Sequence, residues 1–152
     1  MNKSFVFLVL LANLFIMPQL AADALTIDNA WVREAPPVSK VQAAYMVLHN
    51  NSEHDVTLIS ASSPLFARVE FHRTVADKAV MRMEQEKTLS IPAGSSLQLQ
   101  PDGRHMMLFN PTQALKAGDK VPFTLTFADQ QQLQVFLIVK KAAGMMHHHH
   151  HE

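Results

Sequence analysis

Four residues of two chemical kinds are spaced so that they could share a ligand: His72, Met83, His105 and Met107. As a pattern they read His-x10-Met-x21-His-x-Met. Two imidazoles and two thioethers make a neutral, soft donor set. Thioethers select Cu(I), and imidazole accepts copper or zinc. Zinc sites draw on Cys, His and carboxylates and rarely on Met. A thioether needs no deprotonation, so only the two His would compete with protons for a metal. In a strand, residues i and i+2 project to one side, about 7 Å apart. Within "GRHMMLF" (Gly103 to Phe109) His105 and Met107 therefore share a face, and Met106 and Leu108 share the other. His72 and Met83 would have to arrive from neighbouring strands or loops. On the residues alone a second reading stays open. A lone Met in a strand is ordinarily core filler, and a lone His is ordinarily a surface or hydrogen-bonded residue.

The elements that must position this quartet are strands. "ALTIDNAWV", "AAYMVLHN", "DVTLISAS", "ARVEFH", "VMRME", "TLSI", "SLQLQ", "RHMMLF", "VPFTLTF" and "LQVFLIV" are β-prone runs. Turn signals such as Pro92-Ala93-Gly94 and Pro101-Asp102-Gly103 separate them. Residues 73–79, "RTVADKA", read as a loop. The clearest alternation is Val121, Phe123, Leu125, Phe127 with Thr124 and Thr126 between, one face buried and one wet. No sustained helical period, internal repeat or interdomain linker stands out. The expectation is one all-β domain over residues 25–141, an antiparallel β-sandwich. Met46 is expected in the core, with Trp31 and Tyr45 as large anchors. His49 and His54 are expected on the surface. Met81 is expected to pack rather than to ligate.

The spacing of the quartet matches the metal motif of the periplasmic copper chaperone family PCu(A)C, and the chain resembles that family over nearly its whole mature length. "NAWVREAPP", "AAYMVLHN", "VEFHRT", "VMRM", "LSIPAGSSLQLQPDGRHMMLFN" and "LKAGDKVPFTLTF" follow in the family's order. The resemblance implies a cupredoxin-like Greek-key sandwich with His72, Met83, His105 and Met107 as Cu(I) ligands. It implies delivery of copper to the dinuclear centre of cytochrome c oxidase subunit II, together with a Sco-type thioredoxin-like partner. One position departs from the family: members often carry Met directly after the first His, where this chain has Arg73. On a strand that side chain points away from His72.

The two ends of the chain carry other expectations. Residues 1–24 have an early Lys3, an apolar run from Phe5 to Ile16, then Pro18 and small residues. That is the layout of a secretory signal peptide with cleavage after Ala24 or, alternatively, Ala22. An uncleaved anchor is the competing reading, although the run is short for a bilayer. The expected location is the periplasm, with no membrane span in the mature chain. Residues 142–152 form a tail in which Met145 and Met146 precede His147, His148, His149, His150 and His151. Such a tract is compositionally a metal binder, here for Cu(II) with a share in Cu(I). It also reads as a purification tag. Five His instead of six, the terminal Glu152 and the leader argue for a native tail.

Composition narrows the function classes. Lys plus Arg equals Asp plus Glu at 13 each, so no basic surface for nucleic acid is indicated. The chain has no Cys, which excludes disulfides and a blue-copper electron-transfer site. No nucleophile–base–acid order, phosphate loop or paired carboxylates stand out, so an enzyme is not expected. A copper chaperone is the leading reading. A buffer that sequesters excess copper has the same residue chemistry.

Overall fold

The protein is described by a computed structural model covering residues 24–77 and 80–141. The expected leader, apart from Ala24, and the Met/His tail lie outside the described residues. Ten strands follow one another without a helix among the described residues: β1 Leu25–Arg33, β2 Val41–Asn50, β3 Val56–Ser62, β4 Phe66–Asp77, β5 Val80–Glu86, β6 Leu89–Ile91, β7 Ser96–Leu99, β8 Arg104–Pro111, β9 Lys120–Phe127 and β10 Gln132–Lys140.

Hydrogen bonds join them in the path β5-β4-β8-β2-β1-β10-β9-β3-β6, with β7 pairing the second half of β2. The path folds over on itself. Phe66 on β4 and Phe123 on β9 lie far apart along the ladder, yet their ring centroids are 6.3 Å apart. A single core lies between the layers. It takes Met106 and Leu108 from β8 and Val121, Phe123, Leu125 and Phe127 from β9. Period-2 alternation dictates this: on β9 the four apolar residues are buried, while Pro122, Thr124 and Thr126 between them are only partly covered. Each buried Leu or Phe contributes about 1.5–3 kcal/mol relative to exposure. Met46 is in the core as expected. Tyr45 is buried too, but Trp31 is only half-buried, its ring centroid 4.5 Å from that of Tyr45.

Two features differ from the sequence reading. The pairings are antiparallel except one: β1 runs parallel to β10, with Trp31 opposite Ile138 and Arg33 opposite Lys140. More important for the site, the stretch read as a loop at 73–79 is strand up to Asp77. Every residue from Phe71 to Asp77 has a partner on β5, from Glu86 to Val80. The β-branched Thr74 and Val75 favour that extended backbone. The polar letters of "RTVAD" suggested a loop because this end of the ladder faces solvent on both sides, where alternation carries no burial signal.

Candidate metal centre

The hairpin of β4 and β5, laid against β8, builds the site. His72 is opposite His105 across the β4–β8 pair, and Glu70 is opposite Met107. Thr74 is opposite Met83 across the β4–β5 pair. Cross-strand partners share a face, as do residues two apart on one strand. His72, Met83, His105 and Met107 therefore all lie on one face of the β5-β4-β8 layer. The other face is different. Phe71, Met106 and Leu108 are buried in the core there. Nearer the hairpin that face carries ion pairs. Arg104 donates through Nε and Nη2 to Glu86 at 2.7 and 3.1 Å, and Arg73 reaches Glu84 at 3.4 Å. These contacts tie the edge strand β5 to β4 and β8. Arg73 is thus directed away from His72, as expected.

Three of the quartet, Met83, His105 and Met107, line one open groove of about 570 Å³, together with Thr74, Tyr45, Arg33, Glu34 and Pro36. His72 is not in the groove wall. It lies beside His105, with ring centroids 6.2 Å apart and the planes 29° from parallel. Met83 is 61% exposed at the edge, whereas His105 is only 6% exposed. Met81 shares the face of Met83 and is likewise 61% exposed, so it does not pack as expected. β5 is the last strand of its ladder, and its side chains from Val80 to Gln85 are exposed. His49, expected on the surface, is half-buried and bonds Ser96 at 2.6 Å and Asp28 at 3.0 Å. His54 is exposed. Neither lines the groove.

The two rings are held in opposite tautomers by their neighbours. His105 Nδ1 is 3.0 Å from the Gly103 carbonyl, which can only accept, so Nδ1 carries the proton and Nε2 is left with its lone pair. His72 Nε2 is 2.8 Å from Glu70 Oε2, an acceptor when ionised, so Nε2 carries the proton. Its Nδ1 is buried and has no hydrogen-bond partner. A buried acceptor left without a partner is destabilising by about 1–3 kcal/mol. In its neutral form each ring thus offers one unprotonated nitrogen, the form in which imidazole binds metal. Among the described residues no three His, Cys, Asp or Glu side chains group as a metal site. A metal held on this face would meet two imidazoles and two thioethers, a soft donor set.

Glu70 is the residue that sequence reasoning missed. Its signal was available, since it stands two positions before His72 on the same strand face. The hydrogen bond from His72 first, and then the hydrogen bond and charge of Arg68 and the charge of His72, hold its carboxyl below the ordinary value of 4.5 against the opposing effect of burial. A carboxylate depressed in the folded state adds stability that is present above its unfolded value and is lost as pH falls through its lowered folded value. The stability gap between the wild type and Glu70→Gln is therefore expected to narrow as pH drops below about 4.5. Unfolding midpoints measured across that range check this; a gap independent of pH would contradict it.

A family model described as LpqE-like matches residues 25–139. Protein Lxx21020 of Leifsonia xyli subsp. xyli, named as a lipoprotein, is 34% identical over 113 residues, covering 74% of this chain and 67% of that one. Among solved structures, apo-DR1885 of Deinococcus radiodurans is 32% identical, with a TM-score of 0.63 and coverage of 94% of this chain and 98% of that one. Its Cu(I) form is 35% identical, with a TM-score of 0.61 and coverage of 80% and 83%. The copper-bound PCuAC domain from PmoF2 is 22% identical, with a TM-score of 0.68 and coverage of 83% and 100%, and shares the fold. The architecture is thus the cupredoxin-like β-sandwich of PCuAC domains. The chain belongs to the LpqE-like family of PCuAC proteins.

Proposed function

We propose that this protein is an exported copper metallochaperone. It holds Cu(I) with His72, Met83, His105 and Met107 and passes it to cytochrome c oxidase, at the dinuclear copper centre of subunit II, with a Sco-type protein alongside. The observation that carries this reading is the common face: two rings with bare nitrogens flanked by two thioethers on adjoining strands. The copper-bound state of relatives on the same fold supports the choice of metal. Exposure of Met83 suits release, because an edge thioether can be displaced by an incoming ligand without opening the core. Thioethers bind Cu(I) more weakly than thiolates do, so transfer to a thiolate acceptor runs downhill. The chemistry on this face is that of a carrier and not of an enzyme. The leader and the lipoprotein-type relatives support a location in the cell envelope, and we assign the periplasm.

The tail adds a second proposed site, Cu(II) on His147–His151 with help from Met145 and Met146. Chain geometry supports its cooperation with the groove. Lys140 is registered beside Arg33, and its carbonyl accepts from the Glu34 N–H at 2.8 Å. Arg33 and Glu34 line the groove that holds three of the four ligands. His147 is six residues beyond Lys141, a reach of at most about 22 Å. Deleting the residues after Ala143 is expected to remove Cu(II) binding and leave one Cu(I). Unchanged Cu(II) binding would rule out a role for the tail.

The richness of that tail in His is the observation that favours a second reading, a buffer for excess copper. Growth of a deletion strain separates the two. The chaperone reading expects loss of oxidase activity at low copper, restored by added copper. Sensitivity confined to high copper, with normal oxidase, would support the buffer and contradict delivery.

A further inference from the structure

We infer that Glu70 is a positioning residue that dictates which atom of His72 meets the metal: copper is bound by Nδ1 of His72 but by Nε2 of His105. This inference rests on the proposed copper site and concerns how one ligand is held there. The argument begins with the β4 face that carries Arg68, Glu70 and His72 at alternate positions. Both oxygens of Glu70 are engaged. Oε1 accepts from Arg68 Nε at 2.6 Å, and Oε2 accepts from His72 Nε2 at 2.8 Å. Arg68 is itself pinned, its guanidinium 4.1 Å from the centre of the Phe109 ring on β8. Phe109 is also the register partner of Arg68. The carboxylate therefore has a fixed orientation set from two strands.

A fixed carboxylate on Nε2 has two consequences. It keeps Nε2 protonated, so that this nitrogen cannot ligate. It also leaves Nδ1, on the opposite edge of the ring, as the free nitrogen, and that atom is buried without a protein partner. His105 is held the other way, because its Nδ1 proton is taken by the Gly103 carbonyl. The same carbonyl accepts from the Thr74 N–H at 3.2 Å, which anchors it to β4. The two imidazoles are thus locked in opposite tautomers by one carboxylate and one backbone oxygen. Outer partners of this kind orient metal-ligating His, raise ligand basicity, and typically cost 10–100-fold in metal affinity when lost.

The test is ¹⁵N NMR of the full-length protein labelled at His, with and without anaerobic Cu(I), joined to a chelator competition for affinity. His72→Gln and His105→Gln assign the ring signals. Before metal, His72 is expected as the Nε2–H tautomer and His105 as the Nδ1–H tautomer. Cu(I) is expected to move His72 Nδ1 and His105 Nε2. Glu70→Ala should lower Cu(I) affinity about 10–100-fold and scramble the His72 tautomer. Glu70→Gln, whose amide oxygen can accept from the same N–H, should restore the tautomer and most of the affinity. A His72 Nδ1–H tautomer in the metal-free protein, a Cu(I) shift at His72 Nε2, or unchanged affinity in Glu70→Ala would each overturn the inference. If Cu(I) moves neither ring, the copper site itself fails and the ligand assignment with it; the metal-free tautomer still decides separately whether Glu70 holds the ring. Should Glu70→Ala fail to fold, the wild-type spectra and Glu70→Gln decide the matter.

Discussion

Replacing His105 with Ala is expected to lower Cu(I) affinity by more than about 100-fold, beyond the usual loss from an outer-shell change. His105 is the structural hinge of the site. It is the best-buried of the four proposed ligands at 6% exposure, and its backbone is opposite His72. Its Nδ1 is satisfied by Gly103, so the whole donor capacity of the ring is concentrated in Nε2. The fold should survive the change. The Gly103 carbonyl keeps its bond from the Thr74 N–H, and the lost hydrogen bond contributes only about 1 kcal/mol net. Chelator competition on His105→Ala, with thermal unfolding alongside, checks both parts. His54→Ala, at an exposed position remote from the groove, is the control and should bind copper as the wild type does. Wild-type affinity in His105→Ala would contradict the site.

The second large effect is an inversion between neighbours. Met106 is fully buried, facing the core with Leu108, while Met107 is half-buried in the groove wall. Met106→Ala is expected to destabilise the fold by about 2–5 kcal/mol, as loss of a buried Met side chain does, and Met106→Leu by under about 1.5 kcal/mol. Neither should change the sulfur content of the copper shell. Met107→Leu should do the reverse, leaving stability nearly intact and weakening Cu(I) binding. Paired unfolding and binding curves for Met106→Ala and Met107→Leu show the inversion directly. If both residues affected stability alone, thioether ligation by Met107 would be untenable.

The opposite facing of Met106 and Met107 was legible in the sequence because a strand of period 2 separates i from i+1 wherever one face is buried. The same rule placed the alternating residues of β9 correctly, and it directed Arg73 away from His72. It worked less well at the β4–β5 hairpin. There both faces are exposed or charged, so hydrophobicity gave no register, and seven residues looked like a loop. Strand pairing up to Asp77 is what sets Thr74 opposite Met83 and brings that thioether onto the face of His72 and His105. Met81 was misread for the same reason, since its face of the edge strand is left uncovered. Glu70 escaped notice because attention to donor atoms passes over carboxylates that serve the donors. The parallel β1–β10 pair could not be read from local pattern at all, because it joins the two ends of the domain.

The central claim is that two His and two Met on one sheet face hold Cu(I). The most direct measurement is X-ray absorption at the copper edge on protein ending at Ala143, loaded anaerobically with one Cu(I). The account predicts a mixed nitrogen and sulfur shell that loses sulfur in Met83→Leu and in Met107→Leu. A shell of nitrogen alone, unchanged in those two variants, would contradict it.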